Sequence, residues 1–222
     1  MGSRESGNVH DTSRSTQFNS VYDKGVDLMT RALCVLCAIF LVSPLAHAQG
    51  AGPGGPVGLG AGLQAAYNRI KGLVTASADK MPEADYAFKP TPEIRNYGQL
   101  WGHVANFHFG TCAQVKGVPN PNQGNNLENS ATTKAAVVKA LADSFALCDD
   151  AFAALTDASA AEMLTGGRGG PRAKGIVLNQ IIEHDNEMYG IGTVYQRLKG
   201  IVPPSTEQQQ QRQGGPGRGR GN

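Results

Sequence analysis

Between residues 63 and 200 apolar or small side chains recur at alternating steps of four and three, the spacing that keeps one face of an α-helix turned toward a core. The first stripe runs Leu63, Tyr67, Ile70, Val74, Ser77 and Met81. Pro82 stops it, and the stretch through Pro90 and Pro92 is a loop, because proline disfavours helical geometry in the residue before it. The second stripe runs Tyr97, Leu100, Val104, Phe107 or His108, Thr111 and Val115, and Gly117 and Pro119 end it. Residues 118–130, rich in Asn, Pro and Gly, read as a loop by turn chemistry, and Thr132 or Thr133 can cap the next helix. The third stripe, Lys134, Val138, Leu141, Phe145, Cys148, Phe152 and Leu155, is regular and interleaved with alanines. After a glycine-rich loop at 166–175 the fourth runs Val177, Ile181, His184, Met188, Ile191, Tyr195 and Leu198, closed by Gly200 and Pro203-Pro204.

Four such helices bury their stripes only against one another, which predicts an all-α fold, an antiparallel four-helix bundle over residues 63–205. No strand-like alternation of useful length competes with it.

Both ends read differently. Residues 32–42 form an unbroken apolar run after Arg31, followed by Ser43-Pro44 and the small-residue pattern Ala46-His47-Ala48. This is the pattern of a secretory signal peptide over 29–48, cleaved after Ala48, and it is too short to span a bilayer, which takes about 20 apolar residues. The expectation is a periplasmic or secreted protein with no membrane anchor after cleavage. Residues 1–28 are a polar extension that is either a long leader or sequence ahead of a start at Met29. Residues 49–62 are a Gly-rich linker, and 206–222 a disordered Gln, Gly and Arg tail, from which no core can be built.

Composition changes this picture little. The 222 residues are 40% apolar and 17% charged, enough for one domain. Residues 49–205 carry 13 basic and 13 acidic side chains, so no basic face is present and nucleic acid is not an expected partner. No Ser-His-Asp order is evident, and the glycines at 166–170 lack the Lys-Ser or Lys-Thr pair of a phosphate-binding loop.

Of four cysteines, Cys34 and Cys37 lie in the leader. Cys112 and Cys148 are left, each near the middle of a helical pattern. In an oxidising compartment they can form a disulfide worth about 4 kcal/mol through loop closure, with two small buried thiols as the alternative.

The fourth stripe holds one polar surprise. His184 falls on the apolar face between Ile181 and Met188, and a buried imidazole needs a hydrogen-bond partner, a water or a metal. His103 borders the second stripe, whereas His108, five residues on, is rotated by roughly 140°, so the two cannot serve one site. Glu187 shares the face of His184, and Asp185 belongs on the solvated flank.

These residues resemble the DinB-like (YfiT-like) superfamily of four-helix bundles. The likeness lies in Pro82-Glu83 with Tyr86, Phe88 and Pro90; in Leu100-Trp101-Gly102-His103-Val104-Ala105-Asn106; and in His184-Asp185-Asn186-Glu187-Met188-Tyr189-Gly190 running into Arg197-Leu198-Lys199-Gly200-Ile201-Val202-Pro203-Pro204. The resemblance implies a divalent metal (zinc, nickel or manganese) held by a histidine of the second helix and a His-x-x-x-His pair of the last. His103 and His184 match two of these positions, and Met188 stands at the third, with Glu187 as a substitute oxygen ligand. Cysteines placed like Cys112 and Cys148 resemble those of exported members.

The expected function is therefore an exported metal-binding bundle with an incomplete histidine triad, a metal-dependent hydrolase or transferase acting on a small molecule of unknown identity. The alternative is a non-catalytic ligand-binding or dimeric interaction module that has lost its metal. Related bundles often pair as homodimers, and the sequence leaves oligomeric state open.

Overall fold

The computed structural model describes residues 58–165 and 170–214. The polar extension, the signal peptide and most of the Gly-rich linker lie outside the described residues. Four long helices make the bundle: α1 (Leu59–Lys80), α2 (Tyr97–Lys116), α4 (Lys134–Ala153) and α6 (Lys174–Leu198). Short elements decorate it: a 3-10 turn at Glu83–Asp85, the single turns α3 (Leu127–Ser130) and α5 (Asp157–Ala160), a two-stranded ladder of β1 (Met163–Leu164) with β2 (Arg172–Ala173), and α7 (Pro204–Gly214).

Local chemistry sets the boundaries. Asn96 and Gln99 form a reciprocal capping box at the start of α2, and Gly117 ends that helix in the left-handed conformation (φ 66°) that glycine adopts without strain. Thr133 caps α4 by accepting from the Ala136 N–H.

Helix directions follow from the pairs that meet. Gln64 donates to the carbonyls of Phe152 and Leu155 at one end of α1, while Lys134 donates to the Asp79 carbonyl at the other, so α1 and α4 are antiparallel. Tyr97 meets Tyr195 and His108 meets Asp185, so α2 and α6 are antiparallel as well. Along α2 and α4, in contrast, His108 meets Ser144, Cys112 is disulfide-bonded to Cys148, and Lys116 pairs with Asp150: these neighbours run parallel. The bundle thus differs from a simple alternating one, where short loops join antiparallel neighbours. Residues 117–133 must cross from the end of α2 back to its beginning, along a helix about 30 Å long.

That crossover lies directly on α2. A Cβ on Gly102 would stand 2.7 Å from the Leu127 carbonyl oxygen, so only glycine permits the approach. The Asn106 side chain then fixes the segment, accepting from the Leu127 N–H (3.1 Å) and Asn122 Nδ2 (3.2 Å) and donating to Asn126 Oδ1 (2.9 Å).

The core holds every residue of the first stripe from Tyr67 to Met81, with Tyr67 stacked on Phe152 and Tyr97 edge-on to Trp101. The fourth stripe is shifted from its expected register. Val177, Ile181, Met188 and Tyr195 are buried, but Ile191 and Leu198 face solvent, and Leu178, Ile182, Asp185, Tyr189 and Gln196 are inside. A strict seven-residue repeat drifts by about 20° per heptad on a straight helix, which moves the buried face one position along. Asp185, expected on the solvated flank, therefore sits fully buried.

Two further expectations change. The ladder at 163–173 is a strand pair too short to show alternation. The tail, expected to be disordered from residue 206, begins as α7, docked by the Tyr189 hydroxyl on Ser205 (2.9 Å) and by a Lys80–Glu207 ion pair. Among the described residues no helix is long and apolar enough to cross a membrane.

Candidate metal centre

His103 projects from α2 at the edge of the core and His184 from α6 opposite it. Their Nε2 atoms stand 3.1 Å apart, and Phe107 stacks on the His184 ring at 4.2 Å between centroids. The crossover supplies a third group. Glu128, in the single turn α3 capped by Asn126, places Oε1 2.8 Å from His103 Nδ1, and Arg95 binds the same carboxylate through Nε (2.7 Å).

Proton accounting assigns the rings. A carboxylate only accepts, so the 2.8 Å contact requires the proton on His103 Nδ1; the Arg95 contact to that nitrogen, at 3.2 Å, is then held through Glu128. His103 Nε2 consequently carries a lone pair aimed at His184. Burial would raise the Glu128 carboxyl, but the hydrogen bonds and charges of Arg95 and His103 outweigh it and hold the group below the usual carboxylate range. Burial pushes His103 below its ordinary value, Arg95 and His184 add to this, and the bond to Glu128 opposes it.

Behind this pair lies a second, fully buried set. His108 Nε2 donates to Asp185 Oδ1 (2.7 Å), and His108 Nδ1 meets Ser144 Oγ (3.2 Å). Ser144, His108 and Asp185 thus form a Ser-His-Asp chain not apparent in the sequence order, but all three are sealed from solvent and Ser144 is 2.9 Å from the Leu141 carbonyl, so no substrate reaches the hydroxyl. Burial alone would raise Asp185; the charge and hydrogen bond of His108, with the adjacent His184, reverse that and leave it lowered.

The structure therefore brings His103 and His184 together, and assigns His108 to a separate cluster as the helix geometry predicts. Met188 follows His184 by one turn, is buried in the core, and lines a groove of about 660 Å³ with Arg95, Leu100, Glu128, Ile191 and Tyr195. Glu187 is exposed on α6. No three His, Cys, Asp or Glu side chains gather to hold a metal ion among the described residues. The donor set is accordingly two imidazoles, a chemistry that suits a borderline metal: their Nε2 separation is a hydrogen-bond distance, and the rings need part only a little to reach the roughly 3.3–3.4 Å that two nitrogens at about 2.0–2.1 Å span on a tetrahedral ion. A carboxylate on the far nitrogen of a ligating histidine is the usual outer partner, and Glu128 occupies that place.

Sequence reasoning missed Glu128, Arg95 and the burial of Asp185. The available signals were Asn126, a cap preceding Leu127-Glu128, and Gly102, whose missing side chain marks a close approach.

Among solved structures, a DinB-like protein of Bacillus cereus is 16% identical, with 64% of this chain and 94% of that chain covered at a TM-score of 0.55. A conserved protein of Enterococcus faecalis is 14% identical, covering 61% and 94% at 0.50. These likenesses support the bundle fold. No curated protein matches the chain significantly. The family described as the DinB superfamily matches residues 66–190, which include α2, the crossover with Glu128, and His184. The chain belongs to the DinB superfamily.

Proposed function

We propose that this is an exported member of the DinB superfamily whose bundle holds one divalent transition-metal ion between His103 and His184. The observation that carries the reading is the 3.1 Å approach of the two Nε2 atoms, with Glu128 on the opposite nitrogen of His103. Met188 supplies the neighbouring wall, and Glu187 reaches the ion only by turning inward from its exposed position. Imidazole ligands suit zinc or nickel better than manganese, whereas a thioether is softer than these ions prefer. An ion held by two protein nitrogens keeps positions open for water and a substrate, and supplies Lewis-acid activation for hydrolysis or group transfer on a small molecule. Export rests on the signal-peptide pattern at 29–48.

A second reading, a bundle that binds ligands or a second copy without metal, is favoured by the lack of a third His, Cys, Asp or Glu at the pair among the described residues. Elemental analysis of the purified protein separates the two. Near-stoichiometric zinc or nickel that disappears in His184→Ala supports the metal reading; a folded, metal-free protein that takes up neither ion supports the other.

A further inference from the structure

His184 Nδ1 and Asp185 Oδ2 are both buried without a hydrogen-bond partner, and Nδ1 lies 3.8 Å from Asp185 Oδ1. Buried polar atoms left unpaired are costly and call for an explanation. The protons supply one. Since His103 Nε2 bears a lone pair, the 3.1 Å contact is a hydrogen bond only if His184 carries its proton on Nε2. His184 Nδ1 then presents a lone pair to a carboxylate, and the two repel. Moving that proton to Nδ1 points it at the Asp185 carboxylate, an attractive contact although 3.8 Å is longer than a hydrogen bond, but turns two lone pairs toward each other at Nε2. A cation between the rings removes that conflict, whether a second proton on His184 or a metal ion.

We infer that Asp185, held by His108, is a positioning residue that fixes His184 with its proton on Nδ1 and its Nε2 free for an ion. The inference rests on the metal reading and deepens it. Each imidazole thus has a carboxylate behind it, Glu128 in a 2.8 Å hydrogen bond to His103 and Asp185 3.8 Å from His184 Nδ1, one small ring shift from the same contact. His108 is the anchor: its Nε2–H occupies Asp185 Oδ1 at 2.7 Å while its other nitrogen is engaged by Ser144, so the carboxylate cannot swing away. The buried Ser144-His108-Asp185 chain thereby acquires a purpose other than nucleophilic catalysis.

The test is Zn²⁺ affinity of the full chain by competition with a chromogenic chelator, comparing wild type, Asp185→Asn and His184→Ala, with circular dichroism to follow folding. Loss of an outer partner typically weakens metal binding about 10- to 100-fold, and Asp185→Asn is expected in that range with helicity unchanged. Equal affinity of wild type and Asp185→Asn overturns the inference while leaving the metal reading intact. A wild type that binds Zn²⁺ no better than His184→Ala overturns the metal reading and the inference with it. Should Asp185→Asn not fold, long-range ¹H–¹⁵N correlation on the Zn²⁺-loaded wild type decides the matter. A slowly exchanging His184 Nδ1–H supports the inference, and an Nδ1–H exchanging as fast as an exposed imidazole overturns it.

Discussion

The carbonyl of Leu127 sits where a side chain on Gly102 would begin, 2.7 Å from the position of its Cβ. This approach brings the crossover, and with it Glu128, to His103. Gly102→Ala must therefore push the crossover off α2. The expected cost is about 1–3 kcal/mol of stability, as for other overpacked sites, together with weaker metal binding because Glu128 withdraws. Thermal unfolding and Zn²⁺ titration of the variant check both; an unchanged affinity would show that the crossover does not matter to the site.

Met188 stands one turn beyond His184 where a third nitrogen would complete the shell. Met188→His is expected to raise Zn²⁺ affinity at least about tenfold, since catalytic zinc sites use three protein ligands. Isothermal titration reads the change, and no gain would place position 188 out of reach of the ion.

The disulfide ties parallel helices whose connection must run the length of the bundle. Reduction, or replacement of Cys112 and Cys148 by serine, is expected to lower stability by about 2–5 kcal/mol, mostly by freeing the unfolded chain. Denaturant unfolding with and without reductant measures it, and coincident curves would contradict the bridge.

The start of α7 is docked by Tyr189 and Ser205, at 2.9 Å for both the hydroxyl pair and the Ser205 N–H. Tyr189→Phe is expected to cost about 1–3 kcal/mol, the net worth of the two hydrogen bonds its hydroxyl makes. Limited proteolysis tests the same docking, because cutting between 204 and 214 should become faster only in the Tyr189 variant.

How much of this was legible in the residue order depends on whether the cause is local. The stripe from Tyr67 to Met81 needs only helical spacing, and it is buried as the pattern predicts. The His103–His184 pairing came from a resemblance, since nothing near either residue specifies the other. Asp185 was misplaced because a carboxylate beside a histidine reads as a solvated flank; its burial is tolerable only through His108, a residue on another helix. Glu128 was hidden inside a segment whose Asn, Pro and Gly content signals turns but not its path along α2. The parallel course of α2 and α4 is likewise a property of that path, invisible to periodicity. Composition misled at the C-terminus, where the polar helix α7 is held by tertiary contacts rather than by its own apolar face.

The most direct measurement of the central claim is anomalous diffraction from crystals of the full chain grown with Zn²⁺, recorded on both sides of the zinc absorption edge. One strong peak is expected within bonding distance of both Nε2 atoms of His103 and His184. A fully loaded crystal with no peak there, or with zinc only on exposed side chains, would contradict that claim.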